Sequence, residues 1–297
     1  MNAQAHQSAG TTLINFCETS NNFYAGQINN RSLTLEVILT GVTQFRWASA
    51  ACTDVGRVRE RNEDACLDLP DLGIWVVADG MGGHAVGDFA SQAVTQALAS
   101  LPTRPSLEER LADIGAALQD VNRTLIAEAS RLQVRCVGTT VVVLAAGDRR
   151  CGFLWAGDSR LYRLRGGRLQ RLTRDHSQVE RLLARGLITA EEARHHPAHN
   201  TITRAVGAAD TLLPEQLFVD VADGDVFLLC SDGLSNEVED DAIAAVLSSE
   251  RDPAATAQAL VRMALDHGGH DNVTVVVVRA EDSYGSDRTL VNPEVEA

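Results

Sequence analysis

The pattern of hydrophobic and polar positions divides the chain into a regular central part and two irregular ends. Regular apolar runs extend over residues 45–282, which predicts one folded domain there. Residues 1–44 hold six Asn and a single Arg and have no clear apolar period, so we predict an N-terminal appendage. Within it, residues 32–42 fit a short strand or a short helix. A loose C-terminal tail is predicted for residues 283–297.

The central part mixes apolar runs of strand length with amphipathic runs of helix length. Strands are predicted at 47–52, 72–78, 139–146, 152–156, 160–165, 225–230 and 272–279, and helices at 84–101, 106–132, 178–185, 240–247 and 253–266. A hairpin turn is predicted at residues 165–168, which read Arg-Gly-Gly-Arg. Strands and helices are grouped rather than alternating, and this favours an α+β fold with antiparallel sheets over a doubly wound fold.

Composition and charge restrict the classes of function. The 297 residues carry a net charge of −14, which gives no electrostatic footprint for nucleic acid, so we expect no nucleic-acid partner. All 26 basic residues are Arg, and the absence of Lys excludes P-loop, Schiff-base and kinase chemistries that need a lysine. The six Cys form no CxxC pair and are expected to be reduced core residues. No apolar run approaches the ~20 residues that span a bilayer, so we predict a cytoplasmic protein without membrane insertion.

Carboxylates follow the apolar strands in a recurring way. Three predicted strands run directly into Asp79, Asp158 and Asp232. Asp271 directly precedes the last strand, so an antiparallel neighbour would carry it to the same sheet end. Glu63 and Asp64 are expected to follow another strand-like segment, with Arg57, Arg59 and Arg61 just upstream.

A single Asp-Gly pair is most often a turn, but convergence of several carboxylates points to a cation. Like charges a few ångströms apart do not all ionise unless a positive charge lies among them. Because these candidate ligands are all oxygen donors, the pattern predicts Mg²⁺ or Mn²⁺ rather than Zn²⁺.

Other patterns compete with this interpretation. Gly80, Gly82 and Ala85 fit a loose dinucleotide fingerprint, but no second strand ends in an acidic residue ~20 positions on. His195, His196 and His199 suggest a zinc site, although Pro197 interrupts any helical face. A run of arginines is either a solvated face or a docking surface for acidic phosphoproteins. It comprises Arg149, Arg150, Arg160, Arg163, Arg165, Arg168, Arg171 and Arg174.

Six short motifs occur in an order that resembles one known family. They are RERNED at 59–64, VADGMGGH at 77–84, GTT at 138–140, AGDSR at 156–160, SDGL at 231–234 and GHDNVT at 269–274. Together they resemble the motif set of the PP2C (PPM) serine/threonine phosphatases in their bacterial form, over about residues 47–281. The resemblance implies an α-β-β-α sandwich, in which two antiparallel sheets are flanked by helical pairs.

The resemblance also implies a set of site residues. Asp79 would bridge two Mg²⁺ or Mn²⁺ ions, with Asp232 and Asp271 completing one site, and Glu63 and the Gly80 carbonyl supporting the other. Asp158, together with Asp232, would form a third, weaker site. Arg59 would hold the substrate phosphate, and Asp64 would hydrogen-bond the attacking water.

The implied activity is hydrolysis of phosphoserine and phosphothreonine in proteins, reversing a bacterial Ser/Thr kinase. The alternative is a catalytically weak, phosphoprotein-binding pseudophosphatase. A type VI secretion kinase circuit is one setting known in the family. Residues 175–207 would be a variable flap beside the site.

This chain departs from the animal members of the family at one position. Where they have Asp-Gly-His, it has Met81, whose thioether cannot donate a proton to the leaving group. His84, three residues on, would either face the site or cap the loop.

Overall fold

The structure is a computed structural model that describes residues 45–82, 86–194, 196–198 and 200–283. Residues 1–44 and almost all of the predicted tail lie outside the described residues, as do Ala85, His84, His195 and His199. What the sequence predicts for them stays a prediction.

Eleven strands and seven helices are assigned within the described residues. The strands are β1 (Phe45–Asp54), β2 (Asp64–Leu69), β3 (Ile74–Met81), β4 (Gly138–Thr139), β5 (Val141–Ala146), β6 (Arg150–Ala156), β7 (Arg160–Arg165), β8 (Arg168–Arg171), β9 (Glu215–Asp220), β10 (Val226–Cys230) and β11 (Val273–Asp282). The helices are α1 (Gly87–Ala99), α2 (Leu107–Leu132), α3 (Gln178–Ala184), α4 (Ala190–Arg194), α5 (Asp232–Ser235), α6 (Asp240–Ser249) and α7 (Pro253–Asp266). None of these helices is both long enough and apolar enough to cross a bilayer.

The strands form two antiparallel sheets. The first has the order β1-β11-β10-β7-β8, and the second has the order β2-β3-β5-β6-β9, with β4 paired to β3. Side chains from both sheets, including Trp75, Trp155 and Phe227, are buried together as one apolar layer between them. Burial of large aromatic and aliphatic side chains in this layer is the main force holding the sheets face to face.

Each sheet carries a pair of helices on its other face. Ile114 and Leu118 of α2 share a buried cluster with Val143 of β5, and α1 joins the same cluster. On the opposite side, Leu260 of α7 packs with Leu228 of β10, and α6 joins that cluster. The layers therefore run helix, sheet, sheet, helix, and the predicted α-β-β-α sandwich of the α+β class is confirmed.

All five predicted helices are present, with shifts of a few residues at their ends. Helix α2 begins one residue later than predicted because Ser106 is its N-cap, where its hydroxyl accepts a hydrogen bond from the Glu109 N–H. The predicted hairpin turn is also confirmed, since β7 ends at Arg165 and β8 begins at Arg168. Five cysteines of the described chain are free thiols; Cys151 and Cys230 are buried as expected of core residues, whereas Cys52, Cys66 and Cys136 are only half-buried.

Three strands, β2, β8 and β9, were not predicted, and all three lie at sheet edges. An edge strand is open to solvent along its unpaired edge, so it carries more polar side chains. These interrupt the alternation of apolar and polar residues that marks a strand. The predicted strand 139–146 is broken at Thr140 into β4 and β5. Glu63 and Asp64 follow β1 as predicted, but only after a loop of residues 55–63, and Asp64 itself opens β2.

Candidate metal centre

The predicted acidic residues gather at one end of the sandwich. Asp79, near the end of β3, lies directly opposite Asp64, the first residue of β2. Asp232 opens α5 immediately after β10, and Asp271 lies just before β11, the antiparallel neighbour of β10. Asp158 occupies the turn between β6 and β7. Five carboxylates from both sheets thus meet, as the positions of the aspartates after apolar strands predict.

Burial and mutual repulsion raise the pKa values of these carboxyl groups. Burial is the largest cause for Asp64 and for Asp158, whose pKa values each rise to about 7. The pKa of Asp79 is raised well above its ordinary value by burial and by the negative charges of Asp64, Asp232, Asp158 and Asp271. The pKa of Asp232 is raised by burial and by Asp271. Full ionisation of this cluster at neutral pH therefore requires a compensating positive charge.

Two buried carboxylate oxygens fit the surroundings of a hard cation, either as ligands or as acceptors of a hydrogen bond from water beside it. Oδ1 of Asp64 and Oδ1 of Asp158 are buried and have no hydrogen-bond partner among the described residues. A buried anionic oxygen without a partner is costly, and a divalent cation with oxygen ligands would satisfy it. The donor set of the cluster thus fits Mg²⁺ or Mn²⁺.

The cluster is not a finished coordination sphere. No three His, Cys, Asp or Glu side chains among the described residues are arranged to hold a metal ion as they stand. Some of the carboxylate oxygens instead accept hydrogen bonds from side chains of the protein. Arg59 donates from Nη2 to Oδ2 of Asp271 at 2.7 Å, and Asn236 donates from Nδ2 to Oδ2 of Asp232 at 3.1 Å. A cation bound by these same two oxygens would therefore have to replace or share their present donors.

The Gly-Thr-Thr segment fixes the backbone of Asp79. The Asp79 N–H donates to Oγ1 of Thr140 at 3.1 Å, and the Thr140 N–H donates to the Asp79 carbonyl at 2.8 Å. Oγ1 of Thr139 donates to the same carbonyl at 2.9 Å. These contacts give a physical reason for both threonines of the Gly-Thr-Thr motif.

Glu63 and Gly80 lie side by side at the start of α1. The Gly80 N–H donates to the Glu63 carbonyl at 3.1 Å. A Cβ atom on Gly80 would overlap the Gly87 carbonyl, and one on Gly87 would overlap Oε2 of Glu63. The absence of side chains at both glycines is what lets the Glu63 carboxylate approach β3 and the first turn of α1.

Arg59 lies at the solvent edge of the cluster. Its side chain is 55% exposed, and its ion pair with Asp271 is joined by the nearby negative charges of Asp232 and Glu63. The guanidinium is planar and has five donors, so it is able to bind two further oxygens from the solvent side. This position suits a group that receives an anion arriving from outside.

Several polar residues that position the cluster have no role assigned by the sequence. Buried Asn272 accepts the Glu63 N–H on Oδ1 and donates from Nδ2 to the carbonyls of Val55 and Arg61, each at 2.8 Å. Ser231 donates from Oγ to Oδ2 of Asp64 at 2.8 Å. In the sequence, the only sign of these roles is that Asn272 and Ser231 lie next to motif aspartates. Their hydrogen-bond partners are far away in sequence.

The described residues bear on the other patterns in the sequence only in part, since His195 and His199 lie outside them. His176 and His196 join no group of metal ligands among the described residues. Gly80 belongs to an antiparallel sheet, whereas the dinucleotide fingerprint requires a parallel one. Several arginines of the basic run are ion-paired within the protein, and the pair of Arg160 with Asp175 is largely buried. The pairs are Arg150 with Glu108, Arg160 with Asp175, Arg165 with Asp225, and Arg174 with Glu180.

Comparison with known proteins agrees with the fold and the motifs. The model of the family described as protein phosphatase 2C matches residues 56–265. The chain is 38% identical over 244 residues to the serine/threonine protein phosphatase PstP of Mycobacterium tuberculosis H37Rv, covering 82% of this chain and 47% of that protein. The chain therefore spans about half the length of this relative.

Solved structures agree as well. PppA, described as a key regulatory component of the type VI secretion system in Pseudomonas aeruginosa, superposes with a TM-score of 0.74 at 45% identity, over 79% of this chain and 97% of that one. The catalytic domain of PstP in complex with two manganese ions superposes with a TM-score of 0.72 at 37% identity, over 80% and 100%. The fold and the acidic end of the sandwich define a phosphatase-type scaffold. This chain belongs to the protein phosphatase 2C family.

Proposed function

We propose that this protein is a metal-dependent phosphatase that hydrolyses phosphoserine and phosphothreonine in proteins. The observation that carries the proposal is the group of buried carboxylates around Asp79, in which two oxygens have no partner among the described residues. Membership of the protein phosphatase 2C family and the names of the relatives support the same reaction class. The substrates would be phosphoproteins modified by a bacterial Ser/Thr kinase.

The acidic residues would hold two divalent cations. Asp79 would be shared, with Asp232 and Asp271 on one side and Glu63 and the Gly80 carbonyl on the other, while Asp158 with Asp232 would serve a weaker third site. The two manganese ions in the related PstP structure support this assignment, and Mg²⁺ would satisfy the same oxygen donors. Divalent cations bound here would make water acidic enough to yield a nucleophile at neutral pH.

The protein's own side chains would orient the reactants. Ser231 holds Oδ2 of Asp64, which leaves Oδ1 of Asp64 to accept a hydrogen bond from the attacking water. Arg59 would bind two phosphate oxygens with its planar fork and stabilise the charge that develops on them. Such an arrangement needs no protein nucleophile.

Protonation of the leaving group cannot come from Met81. Its side chain carries no proton to donate, and Met81 forms the last position of β3. His84 is the nearest histidine in sequence, and we keep a structural role for it, with water at the site as the proton source. Replacing His84 with Ala would then leave turnover of aryl phosphate and of phosphoserine peptide equally little affected.

The metal requirement separates the enzyme from a pseudophosphatase. We expect steady hydrolysis of p-nitrophenyl phosphate and of a phosphothreonine peptide with Mn²⁺, complete loss of activity with EDTA, and recovery after excess Mn²⁺ is added. A protein that binds the phosphopeptide but turns over neither substrate with Mg²⁺ or Mn²⁺ would contradict the proposal and favour the binding role.

The setting of the reaction follows from the same chemistry. A protein that removes phosphate from Ser and Thr must act after a kinase that adds it. The similarity to PppA makes a type VI secretion circuit the setting to test first, by phosphoproteome comparison of cells with and without the protein. Accumulation of phosphothreonine on unrelated proteins alone would point to another circuit.

A further inference from the structure

His176 is a buried residue that the proposed mechanism does not use. It lies between β8 and α3, and only 8% of its surface is exposed. Its ring stacks on the Trp155 indole of β6, with ring centroids 5.9 Å apart and an angle of 5° between the planes. The imidazole is therefore held in one orientation against the second sheet.

Two hydrogen bonds join His176 to Gly157. The Gly157 N–H donates to Nδ1 of the imidazole at 3.1 Å, and the His176 N–H donates to the Gly157 carbonyl at 2.8 Å. Gly157 has a φ of 122°, and a Cβ atom there would lie 2.6 Å from Cβ of Thr140. Gly157 is therefore tightly packed, and His176 binds both its N–H and its carbonyl.

These contacts fix the tautomer of His176. A backbone N–H only donates, so Nδ1 must present its lone pair and the ring hydrogen of the neutral imidazole must lie on Nε2. Nε2 then donates to Oε1 of Glu215 at 3.0 Å. Nη1 of Arg204 lies 3.1 Å from Nε2 and 3.3 Å from the same carboxylate oxygen, and since a guanidinium nitrogen only donates, we assign both nitrogens as donors to Oε1. Burial lowers the pKa of His176, which favours the neutral ring.

The turn held by His176 leads directly into the candidate metal centre. Gly157 precedes Asp158, whose Oδ1 is one of the two buried oxygens without a partner among the described residues. Ser159 follows, and its hydroxyl bonds that of Thr140 at 2.7 Å. Thr140 in turn accepts the Asp79 N–H. Displacement of Gly157 would therefore shift Asp158 relative to Asp79.

His176 also anchors the segment of residues 176–204. Its carbonyl accepts the Thr203 N–H at 2.6 Å, and Ser177 forms an isolated antiparallel bridge with Ile202. Both ends of this segment are thereby tied to the residue that holds Gly157. His176 therefore holds both this segment and the turn that carries Asp158.

We infer that His176 is a positioning residue that holds Asp158 in place through the hydrogen bond between its Nδ1 and the Gly157 N–H. The inference rests on the proposed function only in assigning a metal to Asp158. The hydrogen bond and the tautomer themselves are properties of the metal-free protein.

Two substitutions separate the Nδ1 acceptor from the rest of the ring. In His176→Asn, the side-chain amide oxygen reaches the position of Nδ1 and is able to accept the Gly157 N–H. In His176→Gln, the amide reaches the position of Nε2, which keeps a contact with Glu215 but loses the bond to Gly157. Both variants lose the stacking on Trp155, so they are matched in packing.

Hydrogen exchange in the metal-free protein gives the first measurement. We expect the Gly157 amide to exchange about tenfold faster in His176→Gln, because its acceptor is gone, and near the wild-type rate in His176→Asn. The Mn²⁺ concentration for half-maximal p-nitrophenyl phosphate hydrolysis should rise about tenfold in His176→Gln alone, with kcat at saturating Mn²⁺ little changed. Equal effects of both variants would mean that His176 only fills space, and would overturn the inference.

A measurement on the unmodified protein covers the case in which neither variant folds. The ¹⁵N resonances of His176 in the metal-free protein should show a protonated Nε2 and an unprotonated Nδ1 at neutral pH. A protonated Nδ1 would rule out the bond to Gly157 and overturn the inference. If the wild-type protein hydrolyses no phosphomonoester, the proposed function fails, while the exchange and resonance measurements still decide the role of His176.

Discussion

The charge on Asp79 is the single-residue property on which the candidate metal centre depends most. It faces four other carboxylates, so Asp79→Asn removes a ligand charge and also removes repulsion. We expect activity to fall by several orders of magnitude, while the metal-free variant melts at the same temperature as the wild type or higher. Turnover assays and thermal melts check this, with the exposed Asp210→Asn as control. Wild-type turnover of Asp79→Asn at ordinary Mn²⁺ concentrations would show that the centre lies elsewhere.

Arg59 offers a second test at the scale of one side chain. Because its guanidinium bonds Asp271 and is otherwise open to solvent, phosphate and Asp271 compete for it. Arg59→Ala should raise KM and weaken inhibition by inorganic phosphate, and it should leave Mn²⁺ affinity unchanged or slightly higher, since Asp271 is released. Calorimetric titration with Mn²⁺ and inhibition assays measure both, with the exposed neighbour Arg61→Ala as the matched control. A large loss of Mn²⁺ affinity with unchanged phosphate inhibition would contradict the assignment.

At the scale of elements, one side of the site is formed by two loops that are hydrogen-bonded to each other. The loop of residues 55–63 carries Arg59 and Glu63, and the loop of residues 267–272 carries Asp271. The Arg57 N–H donates to the Gly269 carbonyl at 2.8 Å, and Asn272 makes three further hydrogen bonds to the first loop. Arg59 and two of the proposed metal ligands, Glu63 and Asp271, are therefore held in one unit.

Removing the side chain of Asn272 should loosen this unit. Asn272→Ala leaves one N–H and two carbonyls in the first loop without their partner, which should lower the free energy of unfolding by at least about 2 kcal/mol. We also expect KM to rise more than kcat falls, because the loop that bears Arg59 becomes mobile. Urea denaturation and steady-state kinetics test this against Asn200→Ala, an exposed control. Unchanged stability together with unchanged KM would mean that the loop holds its shape without Asn272.

The sequence predicts the central elements and the convergence of carboxylates, because both follow from local patterns. Apolar strands that each run into an aspartate must place those aspartates at strand ends, and antiparallel pairing brings Asp271 to the same end. The edge strand β9 escapes prediction because its residues are largely exposed. The hydrogen bonds of Asn272 and His176 escape as well. Asn272 meets Val55 across 217 positions, and no local pattern encodes such a contact.

At the scale of the whole molecule, β1 is the first element of the described sandwich. Phe45 is buried and packs near Trp47, and β1 pairs with β11 over ten residue pairs from Phe45 to Asp54. These contacts join β1 to the described sandwich. We therefore predict that a protein lacking residues 1–44 is folded and has the same kcat, KM and melting temperature as the full chain.

A longer deletion is the matched control for this prediction. Removal of residues 1–54 would also remove β1, leave the apolar edge of β11 without its partner and expose Trp75, against which Trp47 packs with ring centroids 5.4 Å apart. We expect that shorter protein to be insoluble or to melt far lower, since the loss includes both a strand pairing and a buried aromatic contact. Circular dichroism melts and phosphatase assays on the two truncated proteins distinguish the outcomes. If removal of residues 1–44 alone abolished soluble protein, the folded domain would have to include residues 33–42, packed as a further strand, and the boundary at Phe45 would be wrong.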